Sequence, residues 1–162
     1  MRHHSFNFTM KYSSEIIVDV PLKEFIKKFD SAENMKHWQK GLVSIEHISG
    51  NPGMIGSKMK LNYVIGKRKI EVIETVTHSN LPKEFHGTYS SNGIDNIQEN
   101  FFEELPNGKT KWTSISEFLP LNFMMRSMLW FMPKAFKKQS MKNMSDFKNF
   151  AEKGVSVANE KA

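Results

Sequence analysis

The side chains best suited to chemistry in this chain are a carboxylate and two phenols on strand-like segments. Glu74 lies in a run where every second residue is apolar, so it shares a strand face with Val72 and Val76. A carboxylate on an apolar, inward face has a raised pKa and can act as an acid or a base. Tyr63 and Tyr89 carry hydroxyls that could assist it. A Glu74 that simply pairs with a lysine fits the sequence equally well.

Uncharged polar residues repeat this pattern on two later strand-like segments. If Phe102 and Trp112 face inward, period two places five polar residues on their faces: Asn96, Gln98, Asn100, Ser114 and Ser116. Burying such groups is costly unless they have partners. Either a bulge or register shift turns them out to solvent, or they line a wet or ligand-filled cavity and orient the ligand.

Other kinds of chemical site find little support. The chain has no Cys, which excludes thiol catalysis and disulfides, and it has no Gly-x-Ser-x-Gly elbow. The histidines show no paired spacing of the kind that binds zinc on a helix. The glycine-rich run 50–58 lacks the spacing of a phosphate loop, and a hairpin explains it better. The sequence therefore predicts no metal and no cofactor.

The elements that must position these residues follow a clear order. Strand-like sequence runs from Phe6 to Val20, and two short helices follow, the first opened by Pro21 and the second ending near Trp38. The apolar period then changes to two, and short connections join successive runs, which predicts an antiparallel meander. The predicted strands of this meander are 42–49, 58–65, 68–78, 84–91, 94–105 and 109–119.

The C-terminal segment is predicted to be two helices. Pro133 cannot stand in a helix interior, so the sequence indicates a short helix over 121–132 and a main helix over 133–153. Ser140 and Asn143 interrupt the apolar stripe of the main helix with polar groups. The chain has 11 Met, which fits either ordinary core packing or a pliable pocket wall.

Length and composition indicate a single globular domain. A chain of 162 residues, 39% hydrophobic and 25% charged, is long enough for one domain with a sizeable core. No run of about 18 apolar residues is present, so no transmembrane helix is expected. The N-terminus shows no apolar signal core, and Cys is absent, so we predict a cytoplasmic location.

The net charge of +6 is interpreted first as an ordinary solvated basic surface. The chain has only three Arg, so nucleic-acid binding is not predicted. Weak peripheral contact with an anionic membrane surface is favoured instead, because the C-terminal segment is both basic and apolar. Its lysines are Lys134, Lys137, Lys138, Lys142, Lys148 and Lys153.

In its order of segments the chain resembles the START-like, helix-grip superfamily, also called SRPBCC, which includes the polyketide cyclase/dehydrase and lipid transport proteins. The resemblance covers about 13–153. It rests on the Val-x-Val-Pro strand end at 18–21, Trp38, the glycine turn 50–56, the strand entry 81–85, the late hairpin 102–110 and the terminal helix pattern 120–150.

The resemblance implies an α+β helix-grip fold, in which a seven-stranded antiparallel curved sheet wraps around a long C-terminal helix. Two short helices stand between strands 1 and 2, and a hydrophobic cavity lies between sheet and long helix. The whole chain, 1–162, is then one START-like domain, folded over about 6–153 and flexible at 1–5 and 154–162. The superfamily has no universal catalytic residue to carry over.

The favoured interpretation is a protein that binds or carries a small hydrophobic molecule, such as a lipid, a polyketide or an aromatic metabolite, as a monomer or a homodimer. The alternative is a cyclase or dehydratase acting in the same cavity with Glu74 as its acid or base. The residues do not decide whether the protein is an enzyme. The predicted cavity lining is Met59, Leu61, Tyr63, Val72, Glu74, Phe85, Tyr89, Gln98, Asn100, Ser114, Ser116, Phe118, Met125, Met128, Leu129 and Phe136.

Overall fold

The computed structural model describes residues 8–160, so the predicted strand start at Phe6 and the predicted flexible segment 1–5 lie outside the described residues. Within 8–160 the chain forms seven strands: β1 Met10–Val18, β2 Leu42–Ser49, β3 Lys58–Ile65, β4 Arg68–Asn80, β5 Glu84–Ser91, β6 Ile94–Glu104 and β7 Thr110–Pro120. The same residues form four helices: α1 Leu22–Phe29, α2 Ala32–Trp38, α3 Phe123–Phe131 and α4 Pro133–Lys153.

The strands described within 8–160 form one antiparallel sheet in the order β1-β7-β6-β5-β4-β3-β2. Strands β2 to β7 are consecutive neighbours, as the meander predicted, and β1 pairs with β7 so that the first and last strands lie side by side. The predicted helix-grip architecture, with two short helices between strands 1 and 2 and a long C-terminal helix, is therefore confirmed.

Local sequence signals explain where the helices begin. Pro21 precedes α1, and the Ser31 side chain caps α2 by accepting a backbone N–H. Asn122 caps α3 in the same way. Pro133 is the first residue of α4, where its missing N–H leaves no broken bond, so the predicted interruption between the two C-terminal helices is present. No helix among the described residues is both long and apolar enough to cross a bilayer.

An aromatic core joins α1, α2 and α4 to the sheet. It contains Phe25, Trp38, Phe102, Trp112 and Phe147, all of them buried. The ring centroids of Phe25 and Phe147 are 4.8 Å apart, and those of Phe25 and Phe102 are 5.2 Å apart. Burying each large apolar side chain contributes on the order of 1.5–3 kcal/mol. This core fixes α4 on the sheet.

The segment after α4 packs against α2. Val157 is buried, and its N–H donates to the carbonyl of His37 at 3.0 Å. The Ser156 hydroxyl lies 2.8 Å from Nδ1 of His37. An apolar side chain and a backbone hydrogen bond therefore hold Val157 against α2, and flexibility over 154–162 stays a prediction from the sequence.

Candidate ligand-binding cavity

The inward face of the sheet carries buried polar side chains. Asn96, Asn100, Ser114 and Glu74 are all buried. Strands β6 and β7 pair without a register shift, with Asn100 opposite Ser114. The alternative that a bulge turns these groups out to solvent therefore does not apply to β6 and β7, and period two alone explains why they point inward.

A first chamber, of about 260 Å³, lies between the sheet and α4. Its amide and hydroxyl lining, apart from two tyrosines, is Gln39, Ser91, Asn96, Gln98, Asn100, Ser114, Ser140 and Asn143. Its aromatic and apolar lining is Phe29, Trp38, Tyr63, Val72, Tyr89, Ile94, Trp112, Phe118 and Met144. Apolar walls with a few convergent polar groups are typical of sites for small molecules.

A second chamber, of about 490 Å³, lies among α1, α2, the β2–β3 glycine turn and the inner face of β4 and β5. Phe29, Trp38, Gln39 and Tyr89 line both chambers, so these four side chains form the partition between them. Met54 on the glycine turn lines the second chamber and is largely exposed, so this chamber reaches the surface beside the turn.

Glu74 lies in the second chamber with only 5% of its surface exposed. On the sheet it stands opposite Met59 of β3 and Tyr89 of β5. Burial raises the pKa of Glu74, and a hydrogen bond from Tyr89 offsets part of that rise. No ion pair among residues 8–160 involves this carboxylate. The alternative of a lysine-paired Glu74 is therefore excluded for the described residues.

Two tyrosines beside Glu74 act as hydrogen-bond donors. The Tyr63 hydroxyl donates to Oε1 of Gln39. Burial raises the pKa of Tyr63, and the nearby Glu74 raises it further. Burial and Glu74 also raise the pKa of Tyr89 well above its ordinary value. Both phenols are therefore protonated at neutral pH and present O–H donors rather than phenolate bases.

The amides of the first chamber are held in fixed orientations. The Trp112 indole N–H donates to Oδ1 of Asn100 at 2.9 Å, and the Gln98 amide donates to Oδ1 of Asn96 at 2.7 Å. Each amide has two donor hydrogens and two acceptor lone pairs, so these bonds leave capacity for a ligand. The arrangement is preorganised for hydroxyl or carbonyl groups.

Neither chamber has a positively charged lining among the described residues. Among the described residues, no Lys, Arg or His lines either chamber. The ionisable side chains that do are Asp30, Glu74, Tyr63 and Tyr89. An anionic group in the second chamber would meet the buried carboxyl of Glu74, and in neither chamber would it find a cation to compensate for its desolvation.

The structure brings together ten of the sixteen predicted lining residues. The first chamber contains Tyr63, Val72, Tyr89, Gln98, Asn100, Ser114 and Phe118. The second chamber contains Met59, Glu74, Phe85 and again Tyr89. All of these residues lie on strands, where side-chain direction follows from position.

The other six predicted lining residues lie outside both chambers: Leu61, Ser116, Met125, Met128, Leu129 and Phe136. Leu61 is buried in a separate small core with Met35 and Leu42. The Phe136 ring packs 4.9 Å from that of Phe118 instead of opening into the cavity. The three α3 residues are displaced because α3 packs beside β7 and the start of α4 rather than over the chambers.

Several lining residues come from helices and were not among the predicted ones. Phe29, Trp38 and Gln39 form most of the partition, and Ser140 and Asn143 line the first chamber from α4. The sequence did contain a signal for Ser140 and Asn143, because both are polar residues within the otherwise apolar stripe of α4. No sequence period shows which helical residue meets the open space beside a sheet.

One cluster of possible metal ligands lies on β4 and β5. Oε2 of Glu84 is 3.0 Å from Nε2 of His78 and 3.8 Å from Nε2 of His86. Nδ1 of His86 lies 3.1 Å from the backbone N–H of Asn100 and accepts it. Neutral His86 therefore carries its proton on Nε2, the atom directed at Glu84. This geometry favours a hydrogen-bonded trio over a metal centre.

No protein-family model matches the chain, and no curated protein matches it in sequence. Solved structures match it along most of its length. Ara h 8.0201 is 17% identical with a TM-score of 0.71, over 89% of this chain and 98% of its own. Ginseng major latex-like protein 151 from Panax ginseng is 12% identical with a TM-score of 0.67, over 88% and 97%. The protein TTHA0849 from Thermus thermophilus is 10% identical with a TM-score of 0.69, over 87% and 96%.

At these identities the likeness establishes the fold. The chain has the same fold as these proteins, and it is the helix-grip fold that the order of its sequence motifs predicted. A shared fold of this kind supports many functions, so the function must be argued from the cavity.

Proposed function

We propose that the protein binds or carries a small hydrophobic molecule in the two chambers, the first between the sheet and α4 and the second beneath α1, α2 and the β2–β3 glycine turn. The observation that supports this most is the cluster of inward, buried polar side chains lining an open interior, where a packed core would carry apolar ones. The chamber volumes, about 260 and 490 Å³ across a shared partition, suit a small molecule, since ligand sites measure roughly 300–1,000 Å³.

The lining supports a ligand whose polar groups are neutral. Asn100 and Gln98 can donate and accept, the Tyr89 hydroxyl, which donates to Glu74, can still accept, and none of these compensates a full negative charge. Among the predicted classes, a neutral polyketide, aromatic metabolite or lipid alcohol fits better than a fatty-acid anion. A monomeric or homodimeric state and a cytoplasmic location remain predictions from the sequence.

Binding of the neutral dye N-phenyl-1-naphthylamine tests whether the chambers take up an apolar molecule. We expect saturable binding to the wild-type protein and, because the larger ring occupies the first chamber, at least about tenfold weaker binding to Val72→Phe. Val43→Phe is the matched control, since Val43 is exposed on β2 and should leave binding unchanged. An equal loss in both variants, or no binding at all, would remove the proposal.

A matched pair of competitors tests the charge of the ligand. Dodecanol and dodecanoate share one alkyl chain and differ in the charged head. Since no cation lines either chamber, dodecanol should displace the dye at concentrations about tenfold or more below those needed for dodecanoate. Equal potency, or stronger competition by dodecanoate, contradicts the neutral-ligand assignment while leaving the cavity itself intact.

The contact of Glu74 with Tyr89 also favours a second candidate, a cyclase- or dehydratase-type reaction in the same cavity. A buried carboxyl with a raised pKa, free of any ion pair among the described residues, can transfer a proton to a confined substrate. Native mass spectrometry of protein purified from its own host would supply the compound to test. Turnover of that compound should fall at least about a hundredfold in Glu74→Gln. Undiminished turnover in Glu74→Gln would exclude Glu74 as the acid or base.

A further inference from the structure

Helix α3 leaves its aromatic side chains in solvent. Phe123 is 81% exposed, Phe131 79% and Trp130 69%, and Met124 is also largely exposed. Only Leu129 of this helix is fully buried and anchors it to the body of the protein. A contiguous apolar surface of this kind marks a docking site rather than an ordinary protein surface.

The charged residues in the sequence around α3 are exclusively basic. The sequence contains no Asp or Glu between Glu117 and Asp146. Arg126 on α3 and the first lysines of α4 are exposed, and the structure gives them no ion pair within residues 8–160: Lys134, Lys137 and Lys138. By contrast, Lys142 further along α4 pairs with Asp146. Four cations without an ion pair among residues 8–160 therefore lie beside the exposed aromatics, in a stretch of sequence that has no acidic residue.

We propose that α3 and the first turns of α4 dock on an anionic lipid bilayer. Trp130, Phe123 and Phe131 would enter the interfacial region, where aromatic rings are favoured, while the cations meet the lipid headgroups. Each Lys or Arg near an anionic surface strengthens binding about fivefold. The sequence placed weak membrane contact along the whole basic C-terminal helix, whereas the structure concentrates the apolar part of the surface on α3.

Charge favours a bilayer over a second copy of this chain. A two-fold symmetric dimer through this surface would place the same residues of both copies face to face. The cations of one α4 would then lie close to those of the other without an acidic residue between them, which is destabilising. An anionic lipid surface supplies the missing opposite charge.

Docking would also place the first chamber beside the bilayer. The N–H of Leu121, just before α3, donates to the carbonyl of Gly93 at 2.8 Å. Gly93 lies in the β5–β6 turn, whose neighbours Ser91 and Ile94 line the first chamber. A role for this contact in exchanging ligand with the membrane rests on the proposed function, whereas docking itself does not.

Co-sedimentation of the full chain with vesicles tests the docking. Vesicles containing about one third phosphatidylserine in phosphatidylcholine should bind the protein, and pure phosphatidylcholine should bind it weakly. The double variant Trp130→Ser/Phe131→Ser should lose at least about tenfold in partitioning. The triple variant Lys134→Gln/Lys137→Gln/Lys138→Gln should lose about a hundredfold.

Matched controls remove equal numbers of exposed groups elsewhere. Val43→Ser/Ile55→Ser removes two exposed apolar residues, and Lys23→Gln/Lys67→Gln/Lys69→Gln removes three exposed lysines. Both should bind like the wild type. Unchanged thermal unfolding of each variant shows that the fold is retained, since the substituted side chains lie at the surface.

Tryptophan emission gives a second, local readout. Trp38 and Trp112 are buried, so a blue shift on adding anionic vesicles should come from Trp130 alone. Trp130→Phe should still sediment but lose the shift. Absence of binding to anionic vesicles, or binding equally reduced by the control variants, contradicts the proposal. So does a protein that dimerises in solution through Trp130 and Phe131.

Discussion

Two regions of the interior lie on the same strands but are filled differently. On β7, Trp112 packs in the aromatic core, and two residues further on Ser114 lines the first chamber. On β6, Phe102 is likewise in the core, and Asn100 and Gln98 line the chamber. The sheet continues without a break between the two regions, so the change from solid to hollow comes from the size and polarity of successive inward side chains.

The comparison shows how one fold can be stable and still hold open space. The aromatic end, where Phe25, Phe147 and Trp112 meet, provides the large apolar burial that stabilises the domain. The other end carries small polar groups that fill little volume and keep hydrogen-bonding capacity. The aromatic end of the sheet thus stabilises the domain, and the polar end provides the proposed binding site.

Truncating the core should have the largest effect. Phe147→Ala removes a fully buried ring that packs on Phe25 and Trp38, so we expect a loss of about 3–5 kcal/mol in the free energy of unfolding. Ser114→Ala, at the hollow end, should cost less than about 1 kcal/mol. Urea denaturation measures both. Similar losses for the two variants would mean that the two ends do not differ in packing.

Enlarging a side chain should destabilise the packed end of the interior more than the hollow end. Ala151→Leu adds volume inside the packed core and should cost about 1–3 kcal/mol in unfolding free energy. Ser114→Val adds volume beside open space and should change stability by less than about 1 kcal/mol while weakening dye binding. The account of a hollow end is contradicted if Ser114→Val destabilises the protein as strongly as Ala151→Leu.

The boundary between the aromatic core and the first chamber should depend on the hydrogen bond from Trp112 to Asn100. Asn100 accepts the Trp112 indole N–H at 2.9 Å, so Asn100→Ala leaves a buried donor without its partner and should cost about 1–3 kcal/mol in unfolding free energy. Asn143→Ala, which alters a half-buried amide on α4, should cost less than about 0.5 kcal/mol. Equal effects in chemical denaturation would show that the Asn100–Trp112 bond does not hold the boundary.

Acid–base behaviour should give the smallest and most specific effect. Because burial raises the pKa of Glu74, the folded state holds its proton more tightly than the unfolded state. Its contribution to stability is therefore complete below the ordinary pKa of 4.5 and is lost as the pH rises through the folded value.

Glu74→Gln should consequently raise the melting temperature at pH 7 relative to wild type, and the difference should shrink as the pH approaches 4. Glu71→Gln is the matched control, because it makes the same substitution at an exposed position of the same strand. A stabilisation by Glu74→Gln that is equal at both pH values would show that Glu74 does not titrate as a buried acid.

The sequence predicted the direction of side chains on the strands better than on the helices. Period two placed Glu74, Asn100 and Ser114 on the inward face, because side-chain direction on a strand follows from position alone. The break at Pro133 was equally predictable, since the ring removes a backbone donor.

The helical side of the cavity was less accessible to this reasoning. Met128 and Leu129 share an apolar stripe, but the stripe does not show which element it faces, and α3 packs beside β7 instead of over the chambers. Trp38 and Gln39 line both chambers through the placement of two short helices, which depends on tertiary packing. Such contacts join residues that are distant in sequence, so they produce no repeating pattern of apolar residues that sequence analysis could detect.

The most direct test of the central claim, an open interior that takes up a neutral ligand, is a crystal structure of the protein with dodecanol bound. We predict electron density for the alcohol between the sheet and α4, with its hydroxyl within hydrogen-bonding distance of Asn100, Gln98 or Tyr89. A structure in which Trp38 and Tyr89 close the interior, and the alcohol binds only on the surface of α3, would contradict the account.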